Sequence, residues 1–136
     1  DKVVGNEWVR DNVLPTISNI EPTHQSYEGM IRDFSAFYMR HKEGAHIIAH
    51  MGYIVEAHLL REMRRIGGIG DWDAPFPLND VAGLLLAAGE NPTSVDSYVE
   101  KHNLEVVQDF GTTHNPLYDC ELAARVFMHL MERFNA

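Results

Sequence analysis

The order of patterns along the chain predicts an α/β fold that is rich in helix and has a small sheet. Three observations lead to this prediction. Apolar residues recur at helical spacing from Tyr27 to Tyr38, a short buried strand is indicated at 45–50, and a strand-then-helix pattern follows over 76–88. The strand content is too low for a complete doubly wound domain, so we expect a domain that is incomplete at its N-terminus.

The helix that begins near Tyr27 has the clearest periodicity. Six apolar or aromatic side chains there are spaced by three and four residues, which predicts one stripe that faces the core. They are Tyr27, Met30, Ile31, Phe34, Phe37 and Tyr38. Thr23 is its expected N-cap, and Gly44 lies just after its end. A short helix over 6–13 and a loop over 16–23 are predicted before it.

Glycine boundaries, capping residues and β-branched runs indicate the other elements. The predicted strands cover 45–50, a brief stretch at 76–78 and an edge at Val106 and Val107. The predicted helices cover 53–66, 81–88, 94–102 and 116–134. Asp80 and Thr93 are the expected N-caps of the second and third of these helices, and 70–77 is a turn-rich loop.

Length and composition fit a single domain over 1–136. Apolar residues make up 45% of the chain and charged residues 23%, which is enough apolar surface for a core. Cys120 is the sole cysteine, which excludes an intrachain disulfide and fits the reducing cytoplasm, the expected location. No apolar run approaches the roughly 20 residues of a membrane span, so no membrane partner is expected.

The formal net charge of −9 argues against broad binding of nucleic acid through a basic face. The same charge is compatible with a nuclease that has a small metal-lined site. In such a site, the bound cations supply the positive charge that meets the phosphate.

The segment from His114 to Asp119 begins the last predicted helix. Asn115 is a favoured N-cap and Pro116 suits the first helical position, so His114 lies just outside the helix and Asp119 about one turn inside it. Asp119 shares a face with apolar residues, namely Leu122, Ala123, Val126 and Leu130. A carboxylate on a buried face needs a partner, and a divalent cation is one. The alternative is an Asp that only favours the helix dipole, with His114 as a loop residue.

A second carboxylate repeats this placement. Glu56 lies in the first turn of its predicted helix, in register with Leu59, Leu60 and Met63. Magnesium and manganese ions prefer such oxygen ligands, so Asp119 and Glu56 predict a Mg²⁺ or Mn²⁺ site. The alternative for Glu56 is a solvated helix residue.

These motifs resemble, in their order, the DEDDh-type (DnaQ-like, ribonuclease T-like) 3′–5′ exonucleases, and the small exoribonuclease-like members most. The stretch 45–63 is similar to the second motif of the family, and 114–127 is similar to the third. Shorter similar segments lie at 8–15, 77–85 and 93–99. The resemblance implies a ribonuclease H-like exonuclease fold that lacks its N-terminal strands in this chain.

The chain departs from the family at three points. It has no convincing copy of the first motif, Asp-x-Glu, because Asp71-Trp72-Asp73 lies in a predicted loop after the second motif. The second-motif acid is Glu56 rather than Asp, and it stands one residue later than in the family. Pro116 replaces a small residue, usually Ala. We therefore expect either a piece of a longer exonuclease or a degenerate relative.

The resemblance also implies a chemistry. It is the metal-dependent hydrolysis of RNA or DNA to 5′-mononucleotides from a single-stranded 3′ end, with two Mg²⁺ or Mn²⁺ ions. Asp119 and Glu56 would be metal ligands, His114 the general base and His50 a contact to substrate. Small members are often dimers, which makes a homodimer an expected assembly. With Asp119 and Glu56 as the only ligands, we expect weak metal binding and little turnover.

Two other classes of protein fit the sequence. One is a non-catalytic binding or assembly module, for which the loop from Trp72 to Phe76 is a candidate contact surface. The other is a zinc-binding protein that uses His46, His50 and His58, although no His-Glu-x-x-His pattern is present. Three further histidines, His41, His102 and His129, are predicted to be surface residues.

Overall fold

The computed structural model describes residues 5–106, 111 and 113–136. Its helices are α1 (Glu7–Asn12), α2 (Leu14–Ile17), α3 (Tyr27–His41), α4 (Val55–Arg65), α5 (Val81–Ala87), α6 (Val95–His102) and α7 (Pro116–Asn135). Its strands are β1 (Ile47–Ala49) and β2 (Leu78–Asp80), and a 3-10 turn covers Asp71–Asp73. The prediction of many helices and a small sheet is confirmed, whereas the ribonuclease H-like fold stays a prediction.

The chain divides into two compact units. Unit 1 comprises the described parts of 1–21 and 94–136, and unit 2 comprises 22–93. The single domain expected over 1–136 stays a prediction. Among the described residues, no helix is both long enough and apolar enough to cross a membrane.

Unit 2 contains the sheet. Strands β1 and β2 pair in parallel, with Ile47 opposite Leu78 and Ala49 opposite Asp80. The side-chain Nδ2 of Asn79 donates to the Ile47 carbonyl oxygen at 3.1 Å and adds a bond between the strands. Strand β2 lies two residues later than the predicted 76–78. Because the strands are parallel, their carboxyl ends meet at one edge, from which the chain continues to His50 and to α5.

Asp80 holds this edge together. Its carboxylate accepts backbone N–H bonds from Met51 and Gly52, each at 3.1 Å, and from Ala82 at 2.9 Å. The last of these bonds caps α5, as predicted. Partial burial of the carboxyl acts to raise its pKa, but the three N–H bonds outweigh burial, and the pKa of Asp80 lies below its ordinary value.

The expectation that the whole α3 stripe faces the core is wrong for most of its members. Ile31 and Tyr38 are buried, together with Ser35 on the same face. The exposed members are Tyr27, Met30, Phe34 and Phe37. Ser35 approaches Gly67 so closely that a side chain at Gly67 would overlap it. The buried face of α3 is therefore narrower than the apolar stripe that the sequence predicts.

Several predicted boundaries also differ. Pro15 does not precede a loop but lies in the first turn of α2, where a missing N–H costs nothing. Ser26 rather than Thr23 caps α3, and Ser94 rather than Thr93 caps α6, each through its own side chain. The strand edge expected at Val106 is absent from the structure, and Val107 lies outside the described residues.

The core of unit 1 lies between α6 and α7. The buried side chains are Val95 and Tyr98 on α6 and Leu122, Ala123, Val126, Phe127 and Leu130 on α7. The predicted apolar face of the last helix is therefore confirmed, and each large apolar side chain on it contributes about 1.5–3 kcal/mol through burial. Asn115 accepts the Leu117 N–H at 3.0 Å, which confirms the predicted cap of α7.

We predict that Asp80→Asn lowers the free energy of unfolding by about 2 kcal/mol at pH 7, because an amide offers one acceptor oxygen to three N–H donors. The folded-state pKa lies below the ordinary 3.8, so this stabilisation is complete above that value and is lost as the pH falls through the folded-state pKa. Urea unfolding at pH 7 and pH 3 measures both effects. Asp11→Asn, at an exposed position, is the control, and equal unfolding midpoints for the two variants at pH 7 would contradict the prediction.

A second prediction concerns Gly67. A Cβ there would overlap the Ser35 side chain and lie 2.5 Å from the Met63 carbonyl oxygen, so Gly67→Ala must separate α3 from the end of α4. We expect a loss of at least about 2 kcal/mol in thermal or urea unfolding. Gly83→Ala on α5 is the matched control, because a Cβ there meets nothing within 4 Å and should stabilise the helix by about 0.5–1 kcal/mol. Similar effects of both substitutions would refute this packing.

Candidate active site

His114 occupies a constrained position just before α7. Its φ of 72° lies in the left-handed region, which is costly for a residue with a side chain. Two hydrogen bonds hold its backbone there. The Thr16 hydroxyl donates to the His114 carbonyl oxygen at 2.9 Å, and the His114 N–H donates to Asp119 Oδ1 at 3.2 Å.

The imidazole of His114 is held as well as its backbone. The ring of Trp8 packs against it edge to face, with 5.0 Å between the ring centroids. Asn115, the next residue, donates from Nδ2 to the Thr16 carbonyl oxygen at 3.2 Å and ties the start of α7 to the end of α2. The half-buried His114 ring therefore packs on Trp8, while Thr16 and Asn115 hold the backbone at the start of α7.

Asp119 has an electrostatic environment that disfavours its charge. Although the residue as a whole is exposed, partial burial of its carboxyl raises the pKa, and the negative charge of Asp96 acts in the same direction. The bond from the His114 N–H and the nearby imidazole oppose this shift but do not cancel it. Thr113 donates to Asp96 Oδ1 at 3.4 Å and joins that carboxylate to the same region. A cation would relieve this repulsion.

Asp96 is a residue that sequence reasoning missed as part of this site. No spacing in the sequence relates it to Asp119, because the two residues lie on different helices that come together only when α6 packs against α7.

His50 and Glu56 lie in unit 2, at the carboxyl end of β1. His50 donates from Nε2 to the Pro92 carbonyl oxygen at 2.9 Å, which leaves Nδ1 available to another group. Glu56 is half-buried in the first turn of α4, as predicted. A Cβ on Gly52 would lie 2.8 Å from the Ala49 Cβ, so the turn after β1 requires glycine there. Asp80, predicted only as a cap, binds the N–H of the same glycine.

The four predicted site residues therefore form two local pairs. His114 and Asp119 are in contact within unit 1, while His50 and Glu56 flank one turn of unit 2. In the part of the chain that the structure describes, no group of three or more His, Cys, Asp or Glu side chains is arranged to hold a metal ion. The described residues alone do not fit the two-metal site that the family resemblance implies.

The other histidines lie outside the candidate site. His102 and His129 were expected at the surface, but both are half-buried beside Tyr98, and that expectation is wrong. Arg133 donates to the Tyr98 hydroxyl at 3.1 Å, and the same hydroxyl is hydrogen-bonded to His129 Nδ1 at 2.8 Å. Among the described residues, no group of three or more metal-ligating side chains supports a zinc site at His46, His50 and His58.

Comparisons with family models, with curated proteins and with solved structures found no match. The assignment of a function therefore depends on the motifs and on this geometry.

We predict that Asp119→Asn does not destabilise the metal-free protein at pH 7. The folded-state pKa of Asp119 lies above its ordinary value of 3.8, so the stability that this group contributes is lost as the pH rises through the folded-state pKa. The amide keeps an acceptor for the His114 N–H, and solvent screening limits the gain to about 0.5 kcal/mol. Thermal unfolding in EDTA at pH 7 and pH 3 tests this, with Asp11→Asn as the control. A clear loss of stability at pH 7 would show that the charge is already compensated.

Proposed function

We propose that this chain is a metal-dependent 3′–5′ exonuclease domain of the DEDDh type, which releases 5′-mononucleotides from single-stranded RNA or DNA. The observation that carries the proposal is the contact between His114 and Asp119. The His114 backbone N–H donates to Asp119 Oδ1, and partial burial raises the pKa of this carboxyl, so a bound cation would favour its ionised form.

Each residue of the proposed site has its own task. The proposed role of the His114 imidazole is that of the general base that accepts a proton from the attacking water. Asp119 and Glu56 are the proposed ligands of Mg²⁺ or Mn²⁺. Asp96 raises the negative charge near Asp119 and so favours a cation there. The free Nδ1 of His50 is the proposed contact to substrate.

A second candidate function is a binding module without catalysis. It is favoured by the absence, among the described residues, of a group of three metal-ligating side chains. It is also favoured by the exposure of Trp72 and Phe76 on the loop before β2. Such a module would hold a single strand without cleaving it.

The decisive experiment incubates the protein with Mn²⁺ and with single-stranded RNA or DNA labelled at the 3′ end. We expect slow release of labelled mononucleotide, and we expect His114→Ala to reduce the rate by about 100-fold or more because the general base is lost. Asp119→Asn should reduce it similarly. His58→Ala, at an exposed position of α4, is the matched control and should keep the wild-type rate.

Equal rates for wild type, His114→Ala and Asp119→Asn would rule out the assigned roles. If no variant releases nucleotide but the wild type still retains the labelled strand in a filter-binding assay, the binding module is the correct function.

A further inference from the structure

Trp72 is 90% exposed although both of its neighbours are held in place. Asp71 forms an ion pair with Arg64 of α4. The Asp73 carboxylate accepts hydrogen bonds from Lys42 Nζ at 3.0 Å and from the Gly70 N–H at 2.7 Å. The Tyr38 hydroxyl donates to the Asp73 carbonyl oxygen at 2.6 Å. The loop backbone is therefore anchored on α3 and α4, and the indole projects from a fixed support.

Three of the 11 Lys and Arg residues of this acidic chain lie within one turn of α4. Arg61, Arg64 and Arg65 together line a surface depression of about 380 Å³. The side chains of Arg64 and Arg65 are each 65% exposed. The ion pair between Arg64 and Asp71 joins this depression to the loop that carries Trp72.

The arginines keep donors for a ligand. Arg65 uses Nε and one Nη2 hydrogen on Glu62, at 2.8 and 2.7 Å, and Arg64 contacts Asp71 through Nε. A guanidinium carries five N–H donors, so most of them remain open in both residues. Arg61 forms no ion pair with any residue that the structure describes. Arg61 and Arg65 lie about 6 Å apart along the helix axis, which suits successive groups of a linear polyanion.

We propose that Trp72 and the α4 arginines form a binding surface for single-stranded nucleic acid, in which the indole stacks on a base and the guanidinium groups bind phosphates. Arginine matches phosphate geometry, and an exposed indole accepts any base on its face. An acidic peptide would satisfy the arginines, but it would leave the anchored indole without a planar partner. In a chain of net charge −9, a polyanion needs such a local basic site.

The choice of nucleic acid as the ligand of this surface rests on the proposed function. Helix α4 begins beside Glu56 and runs about 14 Å to Arg65, so a strand that follows it connects the Glu56 end with Trp72. The surface would hold nucleotides upstream of the 3′ end.

Tryptophan fluorescence tests the proposal without any hydrolysis. The chain has two tryptophans, so Trp8→Phe leaves Trp72 as the only reporter and Trp72→Phe leaves Trp8. In EDTA, we titrate each variant with oligothymidylate of about ten nucleotides, a length typical of single-strand sites. We expect strong quenching in Trp8→Phe and much weaker quenching in Trp72→Phe. An abasic oligomer of the same length should bind without quenching Trp72, because it has no base to stack.

The arginines are tested in the Trp8→Phe background. Arg61→Glu should raise the Kd about tenfold. It should also reduce the slope of log Kd against log salt concentration by about 1, which corresponds to the loss of one phosphate contact. Arg32→Glu on the exposed side of α3 makes the same charge change and should alter the Kd less than about twofold. Circular dichroism confirms that both variants fold.

Three results would overturn the proposal. They are an unquenched Trp72, equal quenching by the abasic oligomer or by polyglutamate, and equal Kd values for Arg61→Glu and Arg32→Glu. If the protein releases no nucleotide but the Trp72 fluorescence is still quenched, only the proposed exonuclease activity is refuted. If it releases nucleotide without quenching of Trp72, only this binding surface is refuted.

Discussion

The Asp80 carboxylate accepts backbone N–H groups from the turn after β1 and from the first turn of α5. In the part of the chain that the structure describes, the parallel sheet has two strands of three residues each, and such a sheet forms too few ladder bonds to hold its own edge. The half-buried carboxylate of Asp80 takes over this task. The positions of His50 and Glu56 depend on it, because both residues flank the turn whose N–H groups Asp80 binds.

In unit 1, the start of α7 is held by polar contacts to a distant part of the chain. Thr16 binds the His114 backbone, and Asn115 caps the helix while its Nδ2 reaches back to α2. These contacts stabilise a left-handed backbone that His114 would otherwise rarely adopt. The same geometry places the imidazole beside Asp119, so the stability of the helix start and the proposed proton transfer depend on the same bonds.

The surface of unit 2 shows how an acidic protein can present cationic and aromatic groups locally. Arg64 and Arg65 are neutralised in part by Asp71 and Glu62, and the pKa of Glu62 falls to about 2, first because of its hydrogen bond with Arg65. This compensation stabilises the fold and still leaves N–H donors at the surface. The anchored loop next to these arginines keeps Trp72 in solvent, where an indole can meet a planar ligand.

The sequence by itself determined the order of elements from α3 to α6 and the caps at Asp80 and Asn115, because a cap binds N–H groups within three residues of itself. It also indicated His114 and Asp119, which lie within one motif. Only the tertiary structure decided that Phe34 of the α3 stripe is exposed and that Asp96 comes near Asp119. Helical periodicity shows which residues share a face, but the neighbours that cover a face come from distant segments, which local spacing does not encode.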